Sequence, residues 1–441
     1  MSEKEDVKSQ RGPKRVLLLT NSEHGQANVF LATAYALLTL EDEEVEVHFA
    51  SFPRIQKSVA ETSEQVQRDR PGSRPIVFHT IHGKDMVTAW TRPELIAEQR
   101  ELGEQSSISF VDVVRRTLVL LKVTLPWTGP EFVQIMRSIA GIVRAVQPDI
   151  TAVDPLFSPG VTVLAHLKAR FIILSPNTIK DFAMPVQPRF EALWRYPCQG
   201  TNYPFPLPLW AIPLNLLLVV VSLIVTILDP HRRALAAYLA SATWYDDDDP
   251  SSPPMKTTTT SPPRLITLGT LALNPVRLRR AGIRLLVANL PELEFPTLRT
   301  ARASHILPCG PILRPPRLSV SAAISTLPGG VEKEEAEEDE DKDARDLAAW
   351  LVSGPPVVYV NLGTHVFYDA ATATEMATAL RRLLQTAAAV PRHGPEVEAG
   401  WKDVGGVFGA GGAVDRVRGR RGAVSSPTQL IAAGAPAIGA S

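Results

Sequence analysis

The sequence predicts an α/β protein of the doubly wound, parallel-sheet kind, and three observations carry that expectation. Short apolar runs without polar alternation recur along the chain, as strands buried on both faces of a parallel sheet require. Each is followed by turn or cap residues and then by a stretch of helix formers, the βαβ rhythm. At 441 residues the chain exceeds what one hydrophobic core usually supports, so two domains are expected.

The elements follow in order. RVLLLT, from Arg15 to Thr20, is the first strand. NSEHGQAN supplies turn and cap residues, and VFLATAYALLTL predicts a helix starting near Asn28. EVEVHFAS, Glu44 to Ser51, returns as the second strand, and the right-handed crossover rule makes the two parallel neighbours. PIVFHTI around Ile76 is strand-like, and Phe110 to Val146 predicts helices interrupted at PWTGPE. DITAVDPLFSPG gives a strand ending in a proline-bounded loop, and RFIILSP gives another from Arg170 to Ser175.

The most apolar stretch runs from Phe205 to Leu228, and Pro213 leaves only LNLLLVVVSLIVTIL uninterrupted. A bilayer span takes about 20 apolar residues in one helix. Length therefore favours a helix buried in the core or lining an apolar pocket, ahead of a membrane-surface anchor and of a true span. YDDDDPSSPPMKTTTTSPP cannot bury apolar area and reads as a surface insertion. RLLVANLPELEFP is a buried strand and its exit, HILPCGPILRPP follows, and the acidic run from Val331 to Asp346 is a solvated tether or a charged first helical turn. A second Rossmann-like unit opens with a strand from Val357 to Leu362, the Gly363-Thr364 turn and an Ala-rich helix to about Ala387. The Gly/Ala/Val/Arg-rich remainder has no sustained period and is expected to be of low order.

Composition excludes several classes. Hydrophobic residues at 45% and charged residues at 21% are those of a globular chain. Lys plus Arg, 46, balances Asp plus Glu, 46, leaving no global field for a nucleic-acid backbone, so no nucleic-acid partner is expected. Two cysteines, Cys198 and Cys309, cannot build a disulfide framework or a Cys-rich zinc site, and no metal is expected. The polar N-terminus lacks the apolar core of a secretory signal, and the expected location is cytoplasmic, peripheral to a membrane if residues 205–228 touch lipid.

His24 stands at the carboxyl end of the first strand, before Gly25 and a helix, where open α/β sheets bind ligands. No G-x-G-x-x-G marks this turn, and no Walker loop, G-x-S-x-G elbow or H-E-x-x-H is found, so dinucleotide oxidoreductases and those hydrolase classes lose support. Asp154, in AVDPLFSPG, ends another parallel strand on the same sheet edge. A carboxylate accepting from one imidazole nitrogen fixes the tautomer while the other nitrogen takes a proton. Read alone, His24 is equally an ordinary polar residue at a strand end, and Asp154 a turn-stabilising residue before Pro155.

The strings HGQANVF, AVDPLFSPG, RLLVANLPELEFP with HILPCGPILRP, and VVYVNLGTHVFY, in this order over roughly residues 14–387, resemble the UDP-glycosyltransferases of glycosyltransferase family 1, of the GT-B class. The resemblance implies a GT-B-like α/β fold of two facing Rossmann-like doubly wound domains, the second truncated here. It implies transfer of a sugar from a UDP-sugar to a hydroxyl of a small lipophilic acceptor with inversion, UDP-sugar being a co-substrate and no metal required. On this pattern His24 matches the general base and Asp154 its orienting acid. Gly363 and Thr364 match the loop at the donor pyrophosphate, and Gly25, Gln26 and Asn28 fall to the acceptor. The implied organisation is a disordered N-terminus (1–13), an acceptor-binding domain (14–313) with a low-complexity insert (246–263), a linker with the acidic run (314–346), the start of a donor-binding domain (347–390) and a low-order tail (391–441).

One departure counts against activity. The family's C-terminal His-x-Gly donor segment, with its uracil-stacking aromatic and ribose-binding acid, is missing; His393-Gly394 in PRHGPEVEAG lacks the rest. Donor affinity is therefore expected to collapse, and a non-catalytic binder of a lipophilic small molecule, or a degenerate enzyme, is the alternative.

Overall fold

The computed structural model describes residues 12–40, 45–97, 110–198, 201, 203–241, 262–269, 282–296, 304–315, 357–361, 374–382, 405–410 and 413–417. The chain divides into two compact units, residues 1–99 with 108–315, and residues 100–107 with 316–441.

The first unit is built on seven parallel strands: β1 (Lys14–Leu19), β2 (Val45–Ser51), β3 (Val77–Thr80), β4 (Ile150–Val153), β5 (Phe171–Ser175), β6 (Leu285–Val287) and β7 (Ile306–Pro308), in the spatial order β3-β2-β1-β4-β5-β6-β7. β1 is central because both its faces are apolar. Leu17 and Leu19 point into one core and Leu18 into the other, all three inaccessible to solvent.

Helix α1 (His24–Leu40) covers one face, burying Ala27, Phe30, Leu31, Ala34 and Leu38 at helical spacing, with α2 (Gln56–Asp69) beside it. After the short α3 (Met86–Trp90) and α4 (Phe110–Thr124), α5 (Gly129–Val146) and α6 (Ser158–His166) supply the other face. Phe132, Ile135, Met136 and Ile139 of α5 meet Trp127 and Phe157 there. The interruption expected at PWTGPE separates α4 from α5, where the Glu131 carboxylate accepts from the Thr128 N–H at 2.9 Å.

The sequence reading is corrected at four places. α1 starts at His24, not near Asn28: the Glu23 carbonyl accepts from the Gln26 and Ala27 N–H groups and its carboxylate from that of Gly25, so the helix is already capped at Glu23. Arg314 and Pro315 belong to the first unit, the guanidinium of Arg314 donating to Thr62 Oγ1 and the Pro315 carbonyl accepting from Gln65 Nε2 at 3.1 Å.

The third correction concerns the apolar stretch. After the short α7 (Ile179–Ala183) and α8 (Glu191–Trp194), α9 (Ile212–Leu228) carries Pro213 in its first turn, where proline lacks no needed donor. It buries only Asn215 and Leu218 and is not a core helix. α10 (Pro230–Ser241) follows after a break at Asp229 and buries Leu235 and Leu239 in the main core.

In the second unit β8 (Val357–Asn361) pairs in parallel with β9 (Gly405–Ala410), which pairs antiparallel with β10 (Ala413–Val417), and residues 374–382 form a helix. Two strands thus lie in the stretch 391–441 expected to be of low order. A strand such as β8 needs a hydrogen-bonding neighbour, and the tail provides it. The insert at 246–263, the acidic run and the Gly363-Thr364 turn fall outside the described residues, apart from residues 262 and 263.

Candidate active site at the strand-order switch

The order reverses between β1 and β4, and in open α/β sheets a crevice forms beyond the carboxyl ends of the strands at that point. The residues leaving these two strands are Thr20, Asn21 and Asp154. The Asp154 N–H donates to the Leu19 carbonyl at 3.1 Å, which extends the ladder and turns the carboxylate into the base of the crevice.

Asp154 is fully buried. Its Oδ2 accepts from Asn21 Nδ2 at 2.7 Å and from Thr20 Oγ1 at 3.3 Å, and its Oδ1 accepts from the Leu156 N–H at 2.8 Å. Burial is the largest influence on its proton affinity and pushes the carboxyl up to about 7, although the bonds from Leu156 and Thr20 oppose the rise; the nearby charge of Glu23 adds to it.

Asn21 passes the arrangement on. Its side-chain amide donates to Asp154, while its side-chain oxygen accepts from the Glu23 N–H at 2.6 Å, an Asx turn that launches α1. His24, the first residue of α1, is exposed. Among the described residues no hydrogen bond joins His24 to Asp154. The direct pair expected from the sequence is replaced by a relay from Asp154 through Asn21 and Glu23: the buried carboxyl meets Asn21, Thr20 and Leu156, while His24 stands exposed at the start of α1.

The other expected residues lie along the same rim. Gly25 and Asn28 are exposed on the first turns of α1. Gln26 is half-buried; its Nε2 donates to Asn177 Oδ1 beyond β5 at 3.4 Å, and its Oε1 is buried with no partner among the described residues. Asp85, in the loop after β3, accepts from Ser22 Oγ at 2.8 Å and from the Thr88 N–H at 2.7 Å, with Arg54 Nε 3.4 Å away. Burial alone would raise the Asp85 carboxyl, but the bonds from Thr88 and Ser22 and the Arg54 charge hold it below its usual value. Beyond β6, the Glu294 carboxylate accepts from the Ile179 and Lys180 N–H groups at 2.6 and 2.9 Å and closes the far end of the rim.

Thr20, Asn21, Ser22 and Asp85 were not singled out in the sequence. For Thr20, Asn21 and Ser22 the available signal was their position, since a polar triplet directly after the apolar run Val16–Leu19 sits at the sheet edge whatever the family; Asp85 carried no such signal. Among the described residues no three His, Cys, Asp or Glu side chains gather to hold a metal ion. What the site offers is an accessible imidazole on the rim and a buried carboxyl that holds the loop carrying it.

No family model matches the chain. Its sequence is 24% identical over 391 residues to the glycosyltransferase sdnJ of Sordaria araneosa, an alignment that covers 88% of this chain and 65% of the length of that protein. The chain is glycosyltransferase-like in sequence. Solved structures that it matches include the glycotransferase of kitacinnamycin, with a TM-score of 0.38 at 13% identity over 88% of this chain and 68% of that one. Another is a UDP-glucosyltransferase from Polygonum tinctorium in complex with 3,4-dichloroaniline, with a TM-score of 0.40 at 14% identity over 84% and 64%.

Proposed function

We propose that this chain is a GT-B-type glycosyltransferase that moves a sugar from a UDP-sugar to a hydroxyl of a small lipophilic acceptor with inversion, and that it turns over poorly. The observation that carries the reading is the exposed His24 on the rim of the switch-point crevice, held there by a loop anchored on buried Asp154. The sequence similarity to a glycosyltransferase supports the reaction class.

In this reading the His24 imidazole takes the acceptor hydroxyl proton as the oxygen attacks the anomeric carbon, and the bond from that carbon to the UDP oxygen breaks with its electron pair leaving on UDP. Gly25, Gln26 and Asn28 line the path of the acceptor. Asp154 positions His24 through Asn21 and does not itself move a proton. Gly363 and Thr364 are assigned to the donor pyrophosphate by resemblance, and no metal ion enters the reaction. That residues 391–441 carry no His-x-Gly donor segment supports the poor turnover of this chain.

The test is sugar transfer from UDP-glucose to a panel of hydroxylated aromatic acceptors. His24→Ala is expected to lower the rate by about 10²- to 10⁴-fold, the usual contribution of a positioned base. Undiminished turnover in His24→Ala would sink the assignment. The second reading, a binder without turnover, is favoured by the absence of a direct His24–Asp154 bond; acceptor affinity with no sugar transfer in the wild type would select it.

A further inference from the structure

We infer that α9 rests in one leaflet of a lipid bilayer carrying anionic headgroups, lying along the surface and not crossing it. The inference does not depend on the transferase reading. Leu209–Ser241 is long and apolar enough to cross a membrane, yet only 17% of its most apolar window is buried.

The polarity of α9 is the reverse of a water-facing helix. Its polar side chains turn inward: Asn215 is buried, and Ser222 Oγ lies 3.4 Å from Thr117 Oγ1 of α4. Its outer face is Leu216, Leu217, Val220, Leu223, Ile224 and Ile227, all exposed and spaced to form one unbroken aliphatic stripe. The 17 residues of α9 carry no charge. Water penalises such a face, and hydrocarbon does not.

Its ends indicate which membrane component covers it. Trp210 (72% exposed) and Trp194 (43%), amphipathic rings that favour the headgroup level, stand at the N-terminal end with the apolar ring of Phe190 (78%). Phe190 and Arg189 are held out with left-handed backbones, φ 57° and 55°. Arg189 and Arg233, both exposed, bound the apolar stretch, with Arg232 beside the latter; the acids nearest them in sequence, Glu191 and Asp229, are buried. Basic residues flanking an uncharged apolar stretch match an anionic leaflet.

Both ends of α9 are fastened to the same body, which rules against a span. Before it, Phe205 stacks on Phe295 at 4.5 Å, and Asn215 Nδ2 donates to the Leu193 and Tyr196 carbonyls. After it, His231 Nε2 lies 2.9 Å from the Leu125 carbonyl, and the Tyr238 ring packs on Gly129 so closely that a Cβ there would come within 2.5 Å of it. A helix of about 25 Å cannot place its ends across a hydrocarbon core of about 30 Å while both remain on one globular unit.

Cosedimentation of the full chain with phosphatidylcholine vesicles, with and without a third of phosphatidylserine, tests this. The wild type is expected to pellet with both and more with phosphatidylserine, and Leu217→Glu with Ile224→Glu to lower partitioning by roughly tenfold or more. Arg189→Gln with Arg233→Gln, which leaves the stripe intact, is expected to remove the phosphatidylserine increment alone and provides the test if the glutamate pair does not fold. Wild-type protein that stays in the supernatant with both vesicles overturns the inference, including the case where light scattering shows a dimer that the glutamate pair dissociates. Folded glutamate variants that pellet like the wild type overturn it as well.

Discussion

Asp154 keeps an ionisable group where water cannot solvate the charge, and the pH dependence that follows has a definite sign. Its carboxyl rises from 3.8 to about 7 on folding, so the folded chain holds a proton that the unfolded chain gives up. The associated stability is fully present below about pH 4 and is lost as pH rises through about 7, at roughly 1.4 kcal/mol per pKa unit. Asp154→Asn keeps one oxygen, for Asn21 or for Leu156 but not for both, and abolishes the titration. Urea unfolding at pH 5 and pH 8 should therefore show the wild type losing stability relative to Asp154→Asn by a few kcal/mol at most; equal changes in both proteins would remove Asp154 as the source. His48 and His79, Nδ1 to Nε2 at 2.8 Å, act in the opposite direction, because burial lowers both rings. Their contribution is present above pH 6.5 and is lost as pH falls below it, so it cancels in the comparison with Asp154→Asn. The sequence located His24 and Asp154 on the same edge, since strand ends are legible from apolar runs. It could not reveal that Asn21 and Thr20 donate to the carboxylate, because hydrogen-bond partners more than a hundred residues apart leave no local pattern.

At the scale of elements, strands and their order of appearance were readable because burial on both faces writes an unbroken apolar run, as in Leu17–Leu19 and Phe171–Leu174. Strand order was readable only for β1 beside β2, since the pairing of β1 with β4 is set by packing across distant segments. α9 was misread for a related reason: length and apolarity alone do not distinguish a core helix from one facing lipid, and only the direction of its polar residues does. Asn215 shows this most clearly. Its Oδ1 accepts from the Cys198 N–H at 2.7 Å while its Nδ2 donates to the Leu193 and Tyr196 carbonyls at 3.0 and 3.1 Å, joining the first turn of α9 to the end of α8. Asn215→Ala leaves three backbone groups without partners and should cost about 2–4 kcal/mol in chemical denaturation. Leu216→Ala, one residue along on the exposed stripe, should cost less than about 1 kcal/mol in aqueous buffer. Equal losses would mean that the aliphatic face is packed in solution.

The first unit contains all seven strands of the parallel sheet and both large cores, and its last described residues close on it from within: Arg314 reaches Thr62, and the Pro315 carbonyl reaches Gln65 on the same helix. Its sheet and both its large cores are thus formed by residues up to Pro315. A chain ended after Pro315 should unfold in a single cooperative transition whose midpoint lies within a few degrees of the main transition of the full chain, because a change of 1 kcal/mol moves the midpoint of a unit this large by only about 2–4 °C. A chain ended before His305 loses both the His305 carbonyl that accepts the Leu285 N–H and β7, which pairs Ile306 with Leu285, and it should melt well below both. Calorimetry of the three chains separates the possibilities. A Pro315 chain that melts as low as the one lacking β7 would mean that the stability of the sheet depends on the residues after it, and the crevice holding His24 would then be organised by more of the molecule than the seven strands.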